Sequence, residues 1–252
     1  MEIAKYTFNS NIQILNIGDL HRGDNACDVS LFYDCIDYIT RNKNCYWVST
    51  GDILNTAIRN GKHASIYGSS KLEDEYSSCL EEFKQISDKC LGIVSSNHHL
   101  RVFNSIGMSL DKLFCRELNV PYLGDMGLLN VVCDKNSYYV AMFHGCGSGY
   151  TIGAKANGLE KLSQVFPCAD LYLTGHTHTY QSFITEVPYI DRKRTKLSYF
   201  QSYFCTTGHF LNWDESYAQQ LGLKPSPKGA ACIDLYASSG GNKKKIKIDL
   251  FN

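Results

Sequence analysis

Five short apolar runs, each ending in a turn that carries metal-binding residue types, constrain the fold of this chain most strongly. In chain order these turns contain Asp19 and His21; Asp52; Asn97, His98 and His99; His144; and His176 and His178. Of the eight histidines, only His63 and His209 lie elsewhere. Because ligands bind at the carboxyl ends of strands in α/β sheets, we expect these side chains to meet at one edge.

The spacing of apolar residues in the first half predicts strands that alternate with helices. Residues 12–17 form a β-branched run typical of a buried strand, and "DVSLFYDCIDYITRN" has helical spacing with Asp28 as the N-cap. "NCYWVSTGDIL" predicts a second strand. An amphipathic helix is expected from Lys71 to Cys90, with Glu82 on its solvent-facing side.

The remaining segments predict a β-rich end to the chain. "LGIVSSNHH" and "DLYLTGHTH" are typical of short strands, and "GAKANGLEKLSQVF" of a helix. "NVVCDKNSYYVAMFHG" indicates either a hairpin turning at Lys135 and Asn136 or two strands with a short link. We expect an α/β fold in a single domain over residues 1–252, mostly strands from about residue 179 onward.

Composition argues against some kinds of partner. The 25 acidic and 25 basic residues cancel, so bulk charge does not favour nucleic acid. "MEIAKYTFNSN" lacks the apolar core of a signal peptide, and no apolar stretch approaches membrane-spanning length. Eleven cysteines without C-x-x-C spacing indicate a reducing compartment, with Cys146 as small buried filler. We expect a cytoplasmic protein without membrane contact.

The chemistry of the strand ends indicates a metal site. Imidazole nitrogen combined with carboxylate and amide oxygen suits zinc, manganese, iron or nickel. Seven such groups exceed the needs of one tetrahedral ion but fit two ions that share a carboxylate. Two ions about 4 Å apart can clamp the oxygens of a phosphoryl group. The residues themselves therefore indicate phosphoester hydrolysis.

The order D-x-H, G-D, N-H, H, G-H-x-H resembles the calcineurin-like metallophosphoesterases, over most of residues 10 to 180. "VPYLG", "TIGAKANGLEKL" and "TTGHFLNWDESYAQQLGLKPSPKGAACIDLY" are similar to small stand-alone members often encoded by bacteriophages. The resemblance implies a sandwich of two mixed β-sheets flanked by helices, in four αββα layers.

The resemblance also implies roles for individual residues. Asp19, His21 and His178 would hold the first metal; Asn97, His144 and His176 would hold the second; and Asp52 would bridge them. His98 would act as a general acid or electrostatic stabiliser near the leaving group. We expect two divalent transition-metal ions, with Mn²⁺ as the first candidate and iron, zinc or nickel as alternatives.

One position departs from the family pattern. The residue after G-N-H is usually Asp or Glu, which charges the catalytic histidine, whereas here it is His99. Either another carboxylate compensates or the leaving group needs little protonation. His99 and Arg101 are candidate substrate contacts, although Arg101 equally fits a solvent-facing loop arginine.

The expected activity is hydrolysis of phosphodiesters in nucleotides or nucleic acid, including nuclease activity. A phosphomonoesterase is one alternative, and a non-catalytic interaction module on the same fold is another. The altered residue after His98 keeps the second alternative open, while the complete set of seven ligands argues against it.

Overall fold

The computed structural model describes residues 3–57, 71–146, 149–214, 216–220, 222–238 and 244–252 of the chain, and His63 lies outside them. The strands are β1 (Ala4–Phe8), β2 (Ile12–Asn16), β3 (Cys45–Ser49), β4 (Cys90–Ile93), β5 (Met126–Cys133), β6 (Asn136–Phe143), β7 (Leu171–Thr174), β8 (Gln181–Asp191), β9 (Lys196–Thr206), β10 (Ala230–Leu235) and β11 (Ile246–Phe251). The helices are α1 (Val29–Arg41), α2 (Leu72–Lys84), α3 (Asn97–Ile106), α4 (Leu110–Leu118), α5 (Ile152–Val165) and α6 (Tyr217–Gln220).

The strands form two mixed sheets. The first has the order β11-β10-β2-β3-β4, and the second β1-β5-β6-β7-β9-β8. Strands β2, β3 and β4 are parallel to one another, as are β6, β7 and β9. At the edge where these strands end, His144 Nδ1 lies 2.8 Å from the carbonyl of Thr50, and the Thr207 hydroxyl donates to the carbonyl of Asn16. The carboxyl ends of six strands therefore share one rim.

Helices cover both outer faces of the sheets. Ile14 and Val48 pack against Leu129 and Leu173 in the core between the sheets. Helices α1 to α4 bury a second core against the first sheet, centred on Trp47, whose indole is fully buried. Helix α5 packs on the second sheet through Leu159 and Leu162. These layers confirm the predicted α/β sandwich of two mixed sheets flanked by helices.

The β-rich C-terminal portion contributes to both sheets. Strands β8 and β9 extend the second sheet, while β10 and β11 complete the first. The hairpin of β5 and β6 is confirmed, but Cys133 pairs with Asn136, so the turn lies at Asp134 and Lys135, one residue earlier than expected. Asp134 takes the left-handed conformation at φ 54° that this short turn requires.

Helix α1 begins as predicted, with the Asp28 carboxylate accepting the amide hydrogen of Leu31 at 3.2 Å. Helix α2 ends at Lys84 instead of Cys90, because residues 87–89 form a 3₁₀ turn and Cys90 pairs with Trp47 as part of β4. Strand β1 and helices α3 and α4 were not predicted from the sequence.

Glu82 does not face solvent as expected. Its carboxylate accepts hydrogen bonds from Arg22 Nε at 3.0 Å and from the Tyr33 hydroxyl at 2.9 Å, and the residue is 7% exposed. Helical periodicity predicts that charged residues face solvent, but hydrogen bonds from Arg22 and Tyr33 compensate the cost of burying this carboxylate.

Two further observations concern Cys146 and membrane-spanning helices. Cys146 is exposed, which contradicts its assignment as buried filler, because it follows the end of β6 in a loop. Among the residues described above, no helix combines the length and apolar character that a membrane crossing requires.

Candidate metal centre

Loops after strands of both sheets bring the predicted polar side chains together at the shared rim. Asp19 and His21 follow β2, Asp52 follows β3, and Asn97 follows β4; His144 directly follows β6, and His176 and His178 follow β7. The side chains form three overlapping groups whose ligand atoms lie within 4.8 Å of one another: Asp19, His21 and His178; His21, Asp52 and His98; and Asp52, His144 and His176.

The backbone at these positions is strained. Nine non-glycine residues in the described part have positive φ, and five of them are predicted ligands: Asp19, His21, Asp52, His176 and His178. Each such conformation costs about 1–3 kcal/mol, and strain of this kind concentrates at functional sites. The left-handed backbone conformation directs these side chains inward from the strand ends.

The first group contains Asp19, His21 and His178. The Nε2 atoms of the two histidines lie 2.9 Å apart, and the Asp19 carboxylate accepts the backbone hydrogen of His176 through Oδ1 at 2.9 Å. Asp19 Oδ2 is buried and has no hydrogen-bond partner among the described residues. Buried carboxylate oxygens are normally satisfied, so this one fits a cation as its partner.

The second and third groups share Asp52. Its Oδ2 atom lies 3.2 Å from His144 Nε2, 3.7 Å from His98 Nε2 and 3.9 Å from His21 Nε2. Asn97 Oδ1 lies 2.5 Å from His144 Nε2 and 3.1 Å from His176 Nδ1. Asp52 thus lies between His21 of the first group and His144 of the third.

Burial is the largest single influence on the pKa of both carboxylates, but the net shifts have opposite directions. It raises the pKa of Asp19 to about 7, with the negative charge of Asp52 adding to the effect and His144 opposing it. Burial also acts to raise the pKa of Asp52, but His144, His98 and His21 outweigh it and hold that pKa well below its usual range. The contrast reflects how many histidines lie close to each carboxylate.

Two glycines allow the loops to approach so closely. A Cβ atom on Gly175 would lie 3.1 Å from both carboxylate oxygens of Asp19. Gly145 has φ 120°, and a Cβ there would lie 3.0 Å from His176 Cβ. Side chains at either position would push the β7 loop away from the β2 and β6 loops.

His98 lies in the first turn of α3, beside Arg101. The Nδ1 atom of His98 lies 2.8 Å from the Asn55 carbonyl, and its Nε2 lies 2.9 Å from Arg101 Nη2. Burial lowers the pKa of His98; Asp52 opposes this shift and Arg101 adds to it. Arg101 therefore lies against the site, and is not a solvent-facing loop arginine.

His99 does not face the other histidines in the way a substrate contact requires. It is 5% exposed, and its Nδ1 lies 3.0 Å from Asp111 Oδ2 and 2.9 Å from Ser95 Oγ. The same Asp111 oxygen accepts the backbone hydrogen of Ser96 at 3.0 Å. We therefore replace the predicted substrate contact with a structural role, in which His99 and Asp111 fix the loop before α3.

His209 belongs to the site, although the sequence favoured an ordinary turn histidine. Its ring stacks on His178 with centroids 5.4 Å apart and an interplanar angle of 15°. It follows β9, which is parallel to β7, so the same strand-end rule that identified His176 applies to it. The sequence feature that could have identified His209 is the pair Gly208-His209, which follows an apolar run as the Gly175-His176 pair does.

Glu75 supports the loop that carries Asp52. It is 4% exposed, and its Oε1 accepts the backbone hydrogen of Thr56 at 2.8 Å. The hydroxyl of Thr56 in turn donates to the carbonyl of His98 at 2.8 Å. Burial raises the pKa of Glu75 to about 7.

We expect Glu75→Gln to remove much of the pH dependence of stability. Because the folded-state pKa of Glu75 is raised, its contribution to the free energy of unfolding is fully present below pH ~4.5. On the order of 3 kcal/mol of that contribution is lost as pH rises through 7. Gln keeps the acceptor oxygen for Thr56 without a charge. The variant should equal the wild type near pH 4.5 and exceed it at pH 8 in urea unfolding.

Glu73→Gln, at an exposed position of the same helix, is the control and should leave the pH profile of the wild type intact. If Glu75→Gln and Glu73→Gln give the same profile, the Glu75 carboxyl does not titrate in this range.

Comparisons with solved structures find similar folds, and two of these structures are described here. The sequence matches no protein-family model and no curated protein. A crystal structure of Vps29 with Zn²⁺ from Entamoeba histolytica is 14% identical, with a TM-score of 0.46, and covers 96% of this chain and 100% of that one. An uncharacterised protein from Streptococcus pneumoniae, described as a predicted phosphoesterase, is 11% identical, with a TM-score of 0.40. The match covers 96% of this chain and 91% of that one. The fold assignment rests on the strand order and layers described above.

Proposed function

We propose that this protein is a metal-dependent phosphoesterase of the calcineurin-like type that uses two metal ions and prefers phosphodiesters of nucleotides or nucleic acid. The observation that carries the proposal is the pair of ligand groups on either side of Asp52 at the shared rim. One group contains Asp19, His21 and His178, and the other His144 and His176, with Asn97 beside them.

The residues present fit two cations. Potential ligand atoms face one another at short distance: His21 Nε2 and His178 Nε2 lie 2.9 Å apart, and a cation between such atoms would bind to both. Asp19 Oδ2 is buried without a partner in the described chain. Imidazole and carboxylate together suit manganese, iron, zinc or nickel, and Mn²⁺ is the first candidate. When bound, such ions supply Lewis acidity toward phosphoryl oxygens and lower the pKa of water.

The chain's own residues hold the ester and the departing oxygen. Arg101 carries a permanent positive charge beside His98, and its guanidinium matches the geometry of phosphoryl oxygens. His98 is oriented by the Asn55 carbonyl at Nδ1, so its Nε2 side faces Asp52 and Arg101. We assign Arg101 to bind the phosphoryl group. We assign His98, in the form protonated at both ring nitrogens, to donate a hydrogen bond from Nε2 to the leaving oxygen.

This arrangement addresses the missing acidic residue after His98. Asp111 contacts His99 instead of His98. The carboxylate nearest to His98 Nε2 among the ion pairs of the described residues is that of Asp52, at 3.7 Å. Arg101 adds positive charge that does not depend on protonation, which favours an electrostatic role for the pair over a strict general acid.

The diester preference is supported by the similarity of "TIGAKANGLEKL" to bacteriophage-type members. The test is turnover of bis-p-nitrophenyl phosphate and of p-nitrophenyl phosphate, each with Mn²⁺, Zn²⁺, Fe²⁺ or Ni²⁺, alongside elemental analysis of the bound metal. We expect about two metal equivalents per chain and faster turnover of the diester.

The other outcomes decide between the alternatives. Turnover of the monoester alone would make the protein a phosphomonoesterase. A folded protein that binds no metal and hydrolyses neither ester would favour the non-catalytic interaction module.

A further inference from the structure

A pocket of about 240 Å³ opens directly beside His176 and His178. Its far wall comes from Trp213 and Leu223, in the region between β9 and β10, and its other side from Tyr150 just before α5. We call it the aromatic pocket. None of the roles assigned above to the metal ligands, His98 or Arg101 uses it.

The aromatic groups of this pocket offer flat apolar surfaces. The Trp213 indole is held in place because its Nε1 donates to the Leu223 carbonyl at 2.7 Å. Tyr150 is 80% exposed, so its ring has no packing role that would prevent contact with a ligand. Leu211 adds further apolar lining.

Polar groups complete the lining. Lys155 and Lys224 bring two positive charges, and the Lys155 ammonium donates to Thr179 Oγ1 at 2.6 Å. Thr177 and Ser226 also line the pocket, and their hydroxyl oxygens are buried without a partner in the part of the chain that the structure covers. Buried hydroxyls of this kind normally find a hydrogen-bond partner.

Building on the proposed phosphoesterase function, we infer that the aromatic pocket binds the nucleoside of a phosphodiester substrate and makes the enzyme selective for nucleotide esters. A base can stack on the indole or phenol ring. The lysines attract the phosphate and disfavour cationic groups such as a choline headgroup. The volume suits one nucleoside, since sites for larger ligands reach roughly 300–1,000 Å³.

The chain provides a direct optical test, because it contains two tryptophans and only Trp213 lines this pocket. Trp47 is fully buried, with its Nε1 donating to the Ile86 carbonyl, and serves as an internal reference. Adenosine 5′-monophosphate, added to the full chain with a chelator present, should quench tryptophan emission. Ribose 5-phosphate, which has the phosphate but no base, should not.

Two variants assign the quenching to this pocket. Trp213→Phe should abolish it, and Tyr150→Ala, a change at an exposed side chain, should weaken binding at least about fivefold. If Trp213→Phe does not fold, Tyr150→Ala carries the test. Equal responses to both ligands, no response to either, or unchanged quenching in Trp213→Phe would overturn the inference.

Kinetics separate this inference from the proposed function. Thymidine 5′-(p-nitrophenyl phosphate) and methyl p-nitrophenyl phosphate share one leaving group and differ in the nucleoside. We expect a lower KM for the thymidine ester, and we expect Tyr150→Ala to raise the KM of the thymidine ester more than that of the methyl ester. If neither ester is hydrolysed, the phosphoesterase proposal fails; if both are hydrolysed with equal KM, only the pocket assignment fails.

Discussion

Replacing Asp52 with Asn should reduce kcat/KM for bis-p-nitrophenyl phosphate at least about a thousandfold, which corresponds to ~4 kcal/mol of lost transition-state stabilisation. Asp52 Oδ2 lies within 3.9 Å of three histidine nitrogens, and its Oδ1 accepts the backbone hydrogen of His98 at 3.1 Å. Asn retains the size and one oxygen, but it removes the negative charge that would join the two ligand groups. We also expect fewer than two metal equivalents in elemental analysis.

Asp134→Asn is the matched control for this change. Asp134 is exposed in the β5–β6 turn and has φ 54°, close to the φ of 52° at Asp52, so the two substitutions share chemistry and backbone conformation. The control should keep full activity and metal content. An Asp52→Asn variant with wild-type turnover would show that this carboxylate holds no cation that the reaction needs.

Replacing Gly51 with Ala should disrupt the same loop through the backbone. Gly51 has φ +98°, and a Cβ there would lie 2.7 Å from Ser96 Cβ and 3.0 Å from His144 Nδ1. Its carbonyl also accepts the backbone hydrogen of Asp19 at 3.0 Å. Strain and forced contacts together should lower the free energy of unfolding by about 2–5 kcal/mol, and displacement of His144 should reduce the bound metal.

Gly107→Ala separates strain from contact. Gly107 also has positive φ, +74°, but a Cβ there would meet nothing within 4 Å. This control should lose only about 1–2 kcal/mol and keep its metal. Urea unfolding and elemental analysis measure both effects, and equal losses in the two variants would mean that the contacts of Gly51 do not hold the loop.

The sequence was informative where one local rule was enough. Apolar runs identified β2, β3 and β7, and the strand-end rule identified residues that the structure brings together from both sheets. The rule works because parallel strands end at a common edge, whatever the details of the loops. The ligand types then indicated a metal site without knowledge of any distance.

The sequence failed where a side chain depends on partners far along the chain. Glu82 was expected to face solvent, but Arg22 and Tyr33 satisfy its buried carboxylate. His99 was expected at the substrate, but Asp111 holds it in a helix-to-helix contact. Periodicity cannot reveal such pairs, because each partner is unremarkable within its own segment.

The aromatic pocket was also beyond the sequence. Tyr150 and Trp213 are more than 60 positions apart and lie outside helices and strands, so only the folded chain shows that they line one cavity.

The predicted ligands come from both sheets: Asp19, His21, Asp52 and Asn97 follow strands of the first, and His144, His176 and His178 follow strands of the second. Cations bound there would tie the two halves of the sandwich together, and a ligand at a hundred times its Kd adds about 2.7 kcal/mol to the free energy of unfolding. The lifetime of the protein against proteolysis would then follow the supply of transition metal in its surroundings.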